Sequence, residues 1–213
     1  MVYARPKLGH GEAMNSLGIA YGTGQGVTLN NAESLKWFLS AVEKGSANAM
    51  SNVARVFYLG AGTPVSYPEA AKWFRRAADS GDPAAMNDLA VMYDKGLGVA
   101  QNHRTAVTLF EQSAGKGYAL AMLNLGILYV DGKIVKQDNL NAYAWLAASL
   151  NMGLSNEKRE AVVHKVGALA VRLTPKQLHR AQGLIAEICA IDMHPAERPD
   201  VLADIIPESA MYR

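Results

Sequence analysis

The side chains that could carry catalysis or bind a metal ion are few and scattered along the chain. The five histidines show no spacing such as H-x-x-x-H, which would place two imidazoles on one helical face as zinc ligands; they are His10, His103, His164, His179 and His194. The one cysteine, Cys189, falls on the apolar side of a predicted helix, where a buried small hydrophobic residue is a better interpretation than a nucleophile. The sequence therefore predicts no catalytic residue, no metal site and no cofactor.

One glycine pattern could in principle cradle a phosphate group. Gly22-x-Gly24-x-Gly26 has the glycine density of a nucleotide-binding loop. A nucleotide-binding loop of this type follows a strand, whereas these glycines follow a predicted helix and recur elsewhere in the chain. A structural turn is therefore the preferred interpretation.

Composition excludes several classes of function. The 213 residues carry a formal net charge of +2, without the clustered basic stripe that indicates a nucleic-acid-binding face. Half of the residues are apolar, but no run reaches the ~20 apolar residues of a membrane span. The first residues contain no apolar signal core. We expect a cytoplasmic protein if Met1 is the native start, and a periplasmic or envelope protein if the chain is processed or truncated.

The strongest indication of the fold is a repeat of 36 residues, which occurs four times in succession without insertion or deletion. The same residue types recur at four slots of each copy. These are Met14, Met50, Met86 and Met122; Tyr21, Phe57, Tyr93 and Tyr129; Gly24, Gly60, Gly96 and Gly132; and Gly45, Gly81, Gly117 and Gly153. A fixed period in the range of about 20–50 residues indicates stacked structural repeats.

Each copy reads as a helical hairpin. In the second copy, apolar residues spaced by three and four predict a helix that ends at Gly60. Ser66 and Glu69 predict a capping box at the start of a second helix, which stops at Gly81. A small residue recurs in the middle of the first helix, where we expect the facing helix to approach closely; the four residues are Gly18, Ala54, Ala90 and Gly126.

The period stops after Gly153. Ser155 predicts the start of one helix, and Thr174-Pro175-Lys176-Gln177 predicts a second helix with a capping threonine. We expect this pair, within 154–191, to cap the array, and 192–213 to form an extended tail with apolar residues at Val201, Leu202, Ile205 and Ile206. We expect residues 1–9 to be the remnant of a preceding repeat, because Gly9 lies 36 residues before Gly45.

The pattern L-G-x-x-Y-x-x-G-x-G-V, followed by Asn or Asp, A-x-x-W-F and A-x-x-x-G, resembles the Sel-one-like repeat (SLR), a relative of the tetratricopeptide repeat. Leu17–Val27, Leu89–Val99 and Leu125–Val135 carry the resemblance, and the second copy departs from it at Val53 and Ala54. It implies an all-α fold, an α-solenoid with a right-handed superhelix, built from repeats at 10–45, 46–81, 82–117 and 118–153.

The resemblance also implies where a partner would bind. In tetratricopeptide-like stacks the first helices line the concave surface, so polar residues of these helices are candidates for contacts with a peptide or a helix. They are Asn15, Asn48, Ser51, Arg55, Tyr58, Asn87, Asp94 and Lys95. The alternative is a merely solvated face, because exposed polar residues need no further explanation. In the fourth repeat the corresponding face is apolar, with Leu120, Leu123, Ile127 and Val130. We expect the C-terminal helices to cover it; the alternative is an apolar end of the binding groove.

A non-catalytic adaptor that binds a partner protein or peptide on its concave face is therefore the preferred function. The resemblance implies a bacterial protein, and we expect a monomer without nucleic-acid partners. Two alternatives remain open at this point. Some cysteine-rich relatives have been proposed to bind or hydrolyse β-lactams, although this chain lacks their cysteine pairs. An envelope module that binds cell-wall glycan is the other.

Overall fold

The structure, a computed structural model, describes residues 9–190. The predicted tail and all but Gly9 of the predicted N-terminal remnant therefore lie outside the described residues. The described part contains ten helices and no strand, so the predicted all-α fold class is confirmed. The helices are α1 (His10–Thr23), α2 (Asn31–Glu43), α3 (Ala47–Leu59), α4 (Tyr67–Asp79), α5 (Pro83–Lys95), α6 (His103–Ala114), α7 (Ala119–Asp131), α8 (Asn139–Asn151), α9 (Asn156–Ala170) and α10 (Pro175–Cys189).

The chain divides into two compact units, with the boundary between Asn102 and His103. In the first unit each helix from α1 to α4 packs against the helix that follows it. Its core brings together Phe38 of α2 with Val53 and Val56 of α3. Sequential packing of this kind buries apolar faces that a single hairpin would leave in water.

In the second unit α6 packs against α7 and α7 against α8. The C-terminal helices α9 and α10 both pack against α8, and Val166 of α9 and Ile185 of α10 are buried. Cys189 is buried at the end of α10, as its position on the apolar side of this helix predicts. Between residues 9 and 190, no helix is long and apolar enough to cross a bilayer.

The predicted close approach of helices is confirmed in the first and last repeats. A Cβ atom added to Gly18 would lie 2.5 Å from Cδ1 of Phe38, and one added to Gly126 would lie 2.6 Å from Cγ of Leu146. Real Cβ atoms do not come this close to another carbon, so a larger residue at either position would force the facing side chain, Phe38 or Leu146, to shift.

The predicted helix ends are confirmed in part. Gly60 ends α3 in the left-handed conformation, with φ of 71°, and the capping box of Thr174 and Gln177 is formed. The capping box predicted for Ser66 and Glu69 is wrong. Ser66 occupies the N-cap position, but its side chain makes no capping bond, and Glu69 pairs with Lys72 instead.

The loop after each of α3 and α5 lies against the start of a second helix in the preceding repeat. A Cβ atom added to Gly62 would lie 2.6 Å from the carbonyl carbon of Asn31, and one added to Gly98 would lie 2.2 Å from that of Tyr67. Both glycines also have a positive φ, of 78° and 68°. These two positions therefore require glycine for two reasons: backbone conformation and close contact.

A pair of alanine substitutions separates these two reasons. Gly45→Ala places a Cβ in open space at φ of 86°, so we expect it to lower the free energy of unfolding by only roughly 1–2 kcal/mol. Gly98→Ala adds the clash with Tyr67, and we expect a further loss of about 2 kcal/mol or more. Urea denaturation measures both; equal losses would contradict the close contact.

Candidate partner-binding groove

The structure corrects the predicted binding face at three positions. Asn15, Ser51 and Asn87 are 7%, 6% and 4% exposed, so the prediction that they form an exposed row is wrong. For Asn15 and Ser51 the reason is that side chains of successive first helices lie close enough to form hydrogen bonds with one another or with the residue that caps the next first helix. Asn15 of α1 accepts a hydrogen bond at Oδ1 from Nδ2 of Asn52 on α3, at 2.8 Å.

Two further contacts extend this polar ladder, by which we mean the side-chain hydrogen bonds that join α1, α3 and α5. The Ser51 hydroxyl of α3 donates to the carboxylate of Asp82, the residue that caps α5 by accepting from the backbone N–H of Ala84 at 2.9 Å. At the other end, Ser46 donates from Oγ to Oε1 of Glu12 at 2.6 Å. The ladder positions the first helices relative to one another.

The remaining predicted residues occupy different environments. Asn48 is exposed and donates to Oε2 of Glu12 at 3.4 Å. Tyr58 is half-buried, with its ring edge-on to that of Tyr67 at 5.4 Å between centroids. Asp94 is half-buried and Lys95 is exposed, at the end of α5, where the Asp94 carbonyl accepts from Gln101.

Two cavities open on either side of α3 and share two of its residues, Arg55 and Leu59. The first, of about 250 Å³, is completed by α4 and α5 through Phe74, Asp88 and Val91. The second, of about 310 Å³, is completed mainly by α1 and α2 and includes Ile19, Asn31 and Phe38. We call the two cavities together the Arg55 groove.

The rim of the Arg55 groove exposes apolar side chains. Leu59, between the two cavities, is 69% exposed, and Ile19 is 42% exposed. Single exposed apolar residues are ordinary, but these two line adjoining concave surfaces. Neither belongs to the predicted site. The repeat itself could have located part of this lining. One position, four residues after the predicted polar one in each repeat, holds Ile19, Arg55 and Val91.

One ion pair crosses the first cavity. Nε of Arg55 lies 3.6 Å from Oδ2 of Asp88, while Oδ1 of Asp88 accepts from Nδ2 of Asn87 at 3.2 Å. Burial raises the pKa of Asp88 above its ordinary value of 3.8, with a smaller contribution from Asp82, and Arg55 and Asn87 only partly oppose this effect. The carboxylate is therefore less well stabilised in the folded protein than in water.

The corresponding helix of the second unit, α7, carries apolar residues at the predicted binding positions. Leu123 of α7 occupies the slot of Asn15 and is buried, and Leu120, Ile127 and Val130 are half-buried. No group of three or more His, Cys, Asp or Glu side chains within the described residues is arranged to hold a metal ion.

Comparison with protein families identifies the repeat. The model of the Sel1 repeat matches residues 11–46, 47–82, 83–118 and 119–154. The chain belongs to the Sel1 repeat family. The four matched Sel1 repeats begin one residue later than the repeats predicted from the glycine positions, and the predicted family resemblance is confirmed.

Two solved structures show the same fold. One is c5321, described as a protective antigen present in uropathogenic Escherichia coli strains displaying an SLR fold, at 27% identity and a TM-score of 0.74. The match covers 85% of this chain but only 38% of c5321. The other is a Sel1 repeat protein from Oxalobacter formigenes, at 24% identity and a TM-score of 0.70, covering 87% of this chain and 76% of that one. Comparison with curated proteins gives no match.

The polar ladder predicts an effect of Asn15 on stability. In Asn15→Ala the amide of Asn52 loses its acceptor, so we expect the free energy of unfolding to fall by about 1–2 kcal/mol. Asn48→Ala removes a long, exposed bond and serves as the control, with an expected loss below about 0.5 kcal/mol. Chemical denaturation of both variants measures this; a smaller loss in Asn15→Ala than in Asn48→Ala would contradict the ladder.

The raised pKa of Asp88 predicts a pH dependence. Between pH 3.8 and the raised pKa, the folded state holds more of the Asp88 proton than the unfolded state does. The contribution of Asp88 to the free energy of unfolding therefore falls as the pH rises through this interval. We expect Asp88→Asn to gain stability relative to the unsubstituted protein as the pH is raised from 3.5 to 7 in urea denaturation. A difference that does not vary with pH would contradict this.

Proposed function

We propose that this Sel1 repeat protein is a non-catalytic scaffold that binds a peptide or a segment of a partner protein in the Arg55 groove. The observation that supports this most directly is the pair of adjoining cavities with an exposed leucine between them. Leu59 is 69% exposed although it lies on a helix whose other apolar side chains are largely covered.

The dimensions of the groove favour side chains over a large ligand. Small-molecule sites typically measure about 300–1,000 Å³. Each cavity lies at or below the lower end of this range, at about 250 and 310 Å³, and both are open to the surface on either side of Leu59. Two neighbouring cavities of this size suit two side chains of one bound segment.

The chemistry of the lining favours a segment with both apolar and polar groups. Ile19, Leu59 and Val91 offer apolar contacts. Arg55 is 48% exposed, so its guanidinium retains donors for a carboxylate or a backbone carbonyl of the partner. Its pairing with Asp88, at 3.6 Å, is too long and too exposed to hold it firmly.

The predicted site residues then have two different roles in this proposal. Arg55 and Tyr58 of α3 contact the partner. Asn48 of α3, and Asp94 and Lys95 at the end of α5, offer further polar contacts. Of the three buried residues, Asn15 and Ser51 support the groove through bonds that join α1 to α3 and α3 to the start of α5, and Asn87 supports it through its bond to Asp88. Binding to a preformed groove loses less conformational entropy than binding to a mobile surface.

Substitution of Leu59 tests the proposed site. Leu59→Asp places a charge between the two cavities, so we expect capture of partners from a lysate of the source cells to fall at least tenfold, by about 1.4 kcal/mol or more. The side chain is mostly exposed, so thermal stability should change little.

A matched control lies in the second unit. Val171 is 84% exposed, and Val171→Asp introduces the same charge outside the groove, so capture should be unchanged. Quantitative mass spectrometry of captured proteins, with circular dichroism of each variant, gives both readouts. Partners retained equally by a folded Leu59→Asp variant would refute the Arg55 groove as the binding site.

A further inference from the structure

The first cavity of the Arg55 groove combines apolar walls with an acidic side chain. Tyr58, Leu59, Phe74 and Val91 form its walls, and Asp88 contributes a carboxylate whose side chain is 29% exposed. Lysine and arginine side chains combine a methylene stem, which packs on apolar groups, with a charged end. A cavity of about 250 Å³ with this lining therefore suits a basic side chain.

The charge of Asp88 is only partly balanced by its neighbours. Nε of Arg55 lies 3.6 Å from Oδ2 of Asp88, which is longer than the about 2.7–2.9 Å of a charge-assisted hydrogen bond. Asn87 donates to the other carboxylate oxygen, Oδ1, at 3.2 Å. Burial raises the pKa of Asp88 in spite of both contacts. A second cation, placed closer to Oδ2, would therefore stabilise the ionised carboxylate.

The charges near this cavity favour a cation over an anion. Asp82, which caps α5, is near enough to raise the pKa of Asp88 through repulsion between the two carboxylates. Arg55 is the basic side chain that pairs with Asp88, so two carboxylates and one guanidinium leave an excess of negative charge. A carboxylate of a partner would be repelled by Asp82 and Asp88, whereas a cation would complete the balance of charge.

Two further features of the groove suit a basic side chain. Tyr58 and Phe74 place aromatic rings on the wall of the first cavity, and such rings attract cations within about 6 Å of the ring centroid. Arg55 lines both cavities and is 48% exposed, so its side chain can turn toward the second cavity when another cation pairs with Asp88. There its N–H groups still have a backbone carbonyl of the bound segment as an acceptor.

We propose that the first cavity binds a lysine or arginine side chain of the partner segment, with Asp88 as the counter-ion of that side chain. This inference rests on the proposed function, because it names the chemistry of the segment that occupies the Arg55 groove. The same segment places an apolar side chain in the second cavity, against Ile19, Phe38 and Val56. The partner segment is thus one in which a basic residue and an apolar residue face the groove together.

A phage-displayed library of random peptides supplies the probe. Peptides are selected on the 213-residue protein, and Ile19→Trp identifies those that occupy the groove, because tryptophan fills the second cavity without a change of charge. Ile19 is 42% exposed, so the variant should fold, which circular dichroism checks. We expect the peptides that Ile19→Trp no longer binds to be enriched in lysine or arginine, at a fixed separation from an apolar residue.

A double-mutant cycle then tests the pairing with Asp88. Norleucine in place of the basic residue of a selected peptide keeps the stem and removes the charge, so we expect the Kd in fluorescence anisotropy to rise at least about tenfold. Asp88→Asn should raise the Kd of the basic peptide by a similar factor, and norleucine should then cause little further loss. Asp79→Asn is the control. Asp79 is an exposed residue of α4 outside the lining of both cavities, so the same change in net charge there should leave the Kd unchanged.

Two results would overturn the assignment of a basic side chain and leave the groove as the binding site. One is a set of groove-binding peptides in which basic residues are not enriched or acidic residues are. The other is an equal loss with norleucine in the unsubstituted protein and in Asp88→Asn. If Ile19→Trp instead retains every selected peptide, the peptides bind outside the Arg55 groove, and the proposed function fails together with this inference.

Discussion

The structure depends on how closely the two helices of a repeat approach one another. At Gly18 and at Gly126 there is no room for a single methyl group beside Phe38 and Leu146. This contact fixes the separation of the paired helices, and the separation decides which side chains of the next repeat can be covered. Dense packing of this kind leaves little freedom for adjustment, since even one added methylene must displace its neighbours.

A second consequence concerns the polar residues of the first helices. In the first unit α1, α3 and α5 lie near enough for short side chains to bond directly, so the amides and hydroxyls that would suit a ligand bond one another. The cavities open one turn further along each helix, beside Ile19, Arg55 and Val91, and this is where we propose that a partner binds. Polar residues whose side chains could bind a ligand, such as Asn15 and Ser51, therefore join the helices to one another instead.

Much of the fold could be predicted from the sequence because its signals are local and repeated. Each of these signals depends on contacts within one hairpin. They are the period of 36 residues, the glycine that ends α3 and the small residue at Gly18. The capping box at Ser66 is also local, but it was predicted wrongly, because residue types permit that bond and do not enforce it. Glu69 has an alternative partner in Lys72.

The candidate site was less predictable because it depends on distances between repeats. Nothing in the residue types of Asn15 and Asn52 indicates that they bond each other across two helices. The exposure of Leu59 and the position of Asp88 beside Arg55 likewise follow from packing between neighbouring repeats. The sequence shows that these residues occupy equivalent positions in the repeats. Only the structure gives the distances between those positions.

The polar ladder also makes the order of the repeats matter. Its rungs are chemically different: a carboxylate meets a hydroxyl at Glu12 and Ser46, and an amide meets an amide at Asn15 and Asn52. If the second repeat were lost, Asp82 would take the place of Ser46, and two carboxylates would face each other at Glu12. Repeats of the same fold are thus not interchangeable at these contacts, even where the period of 36 residues is preserved.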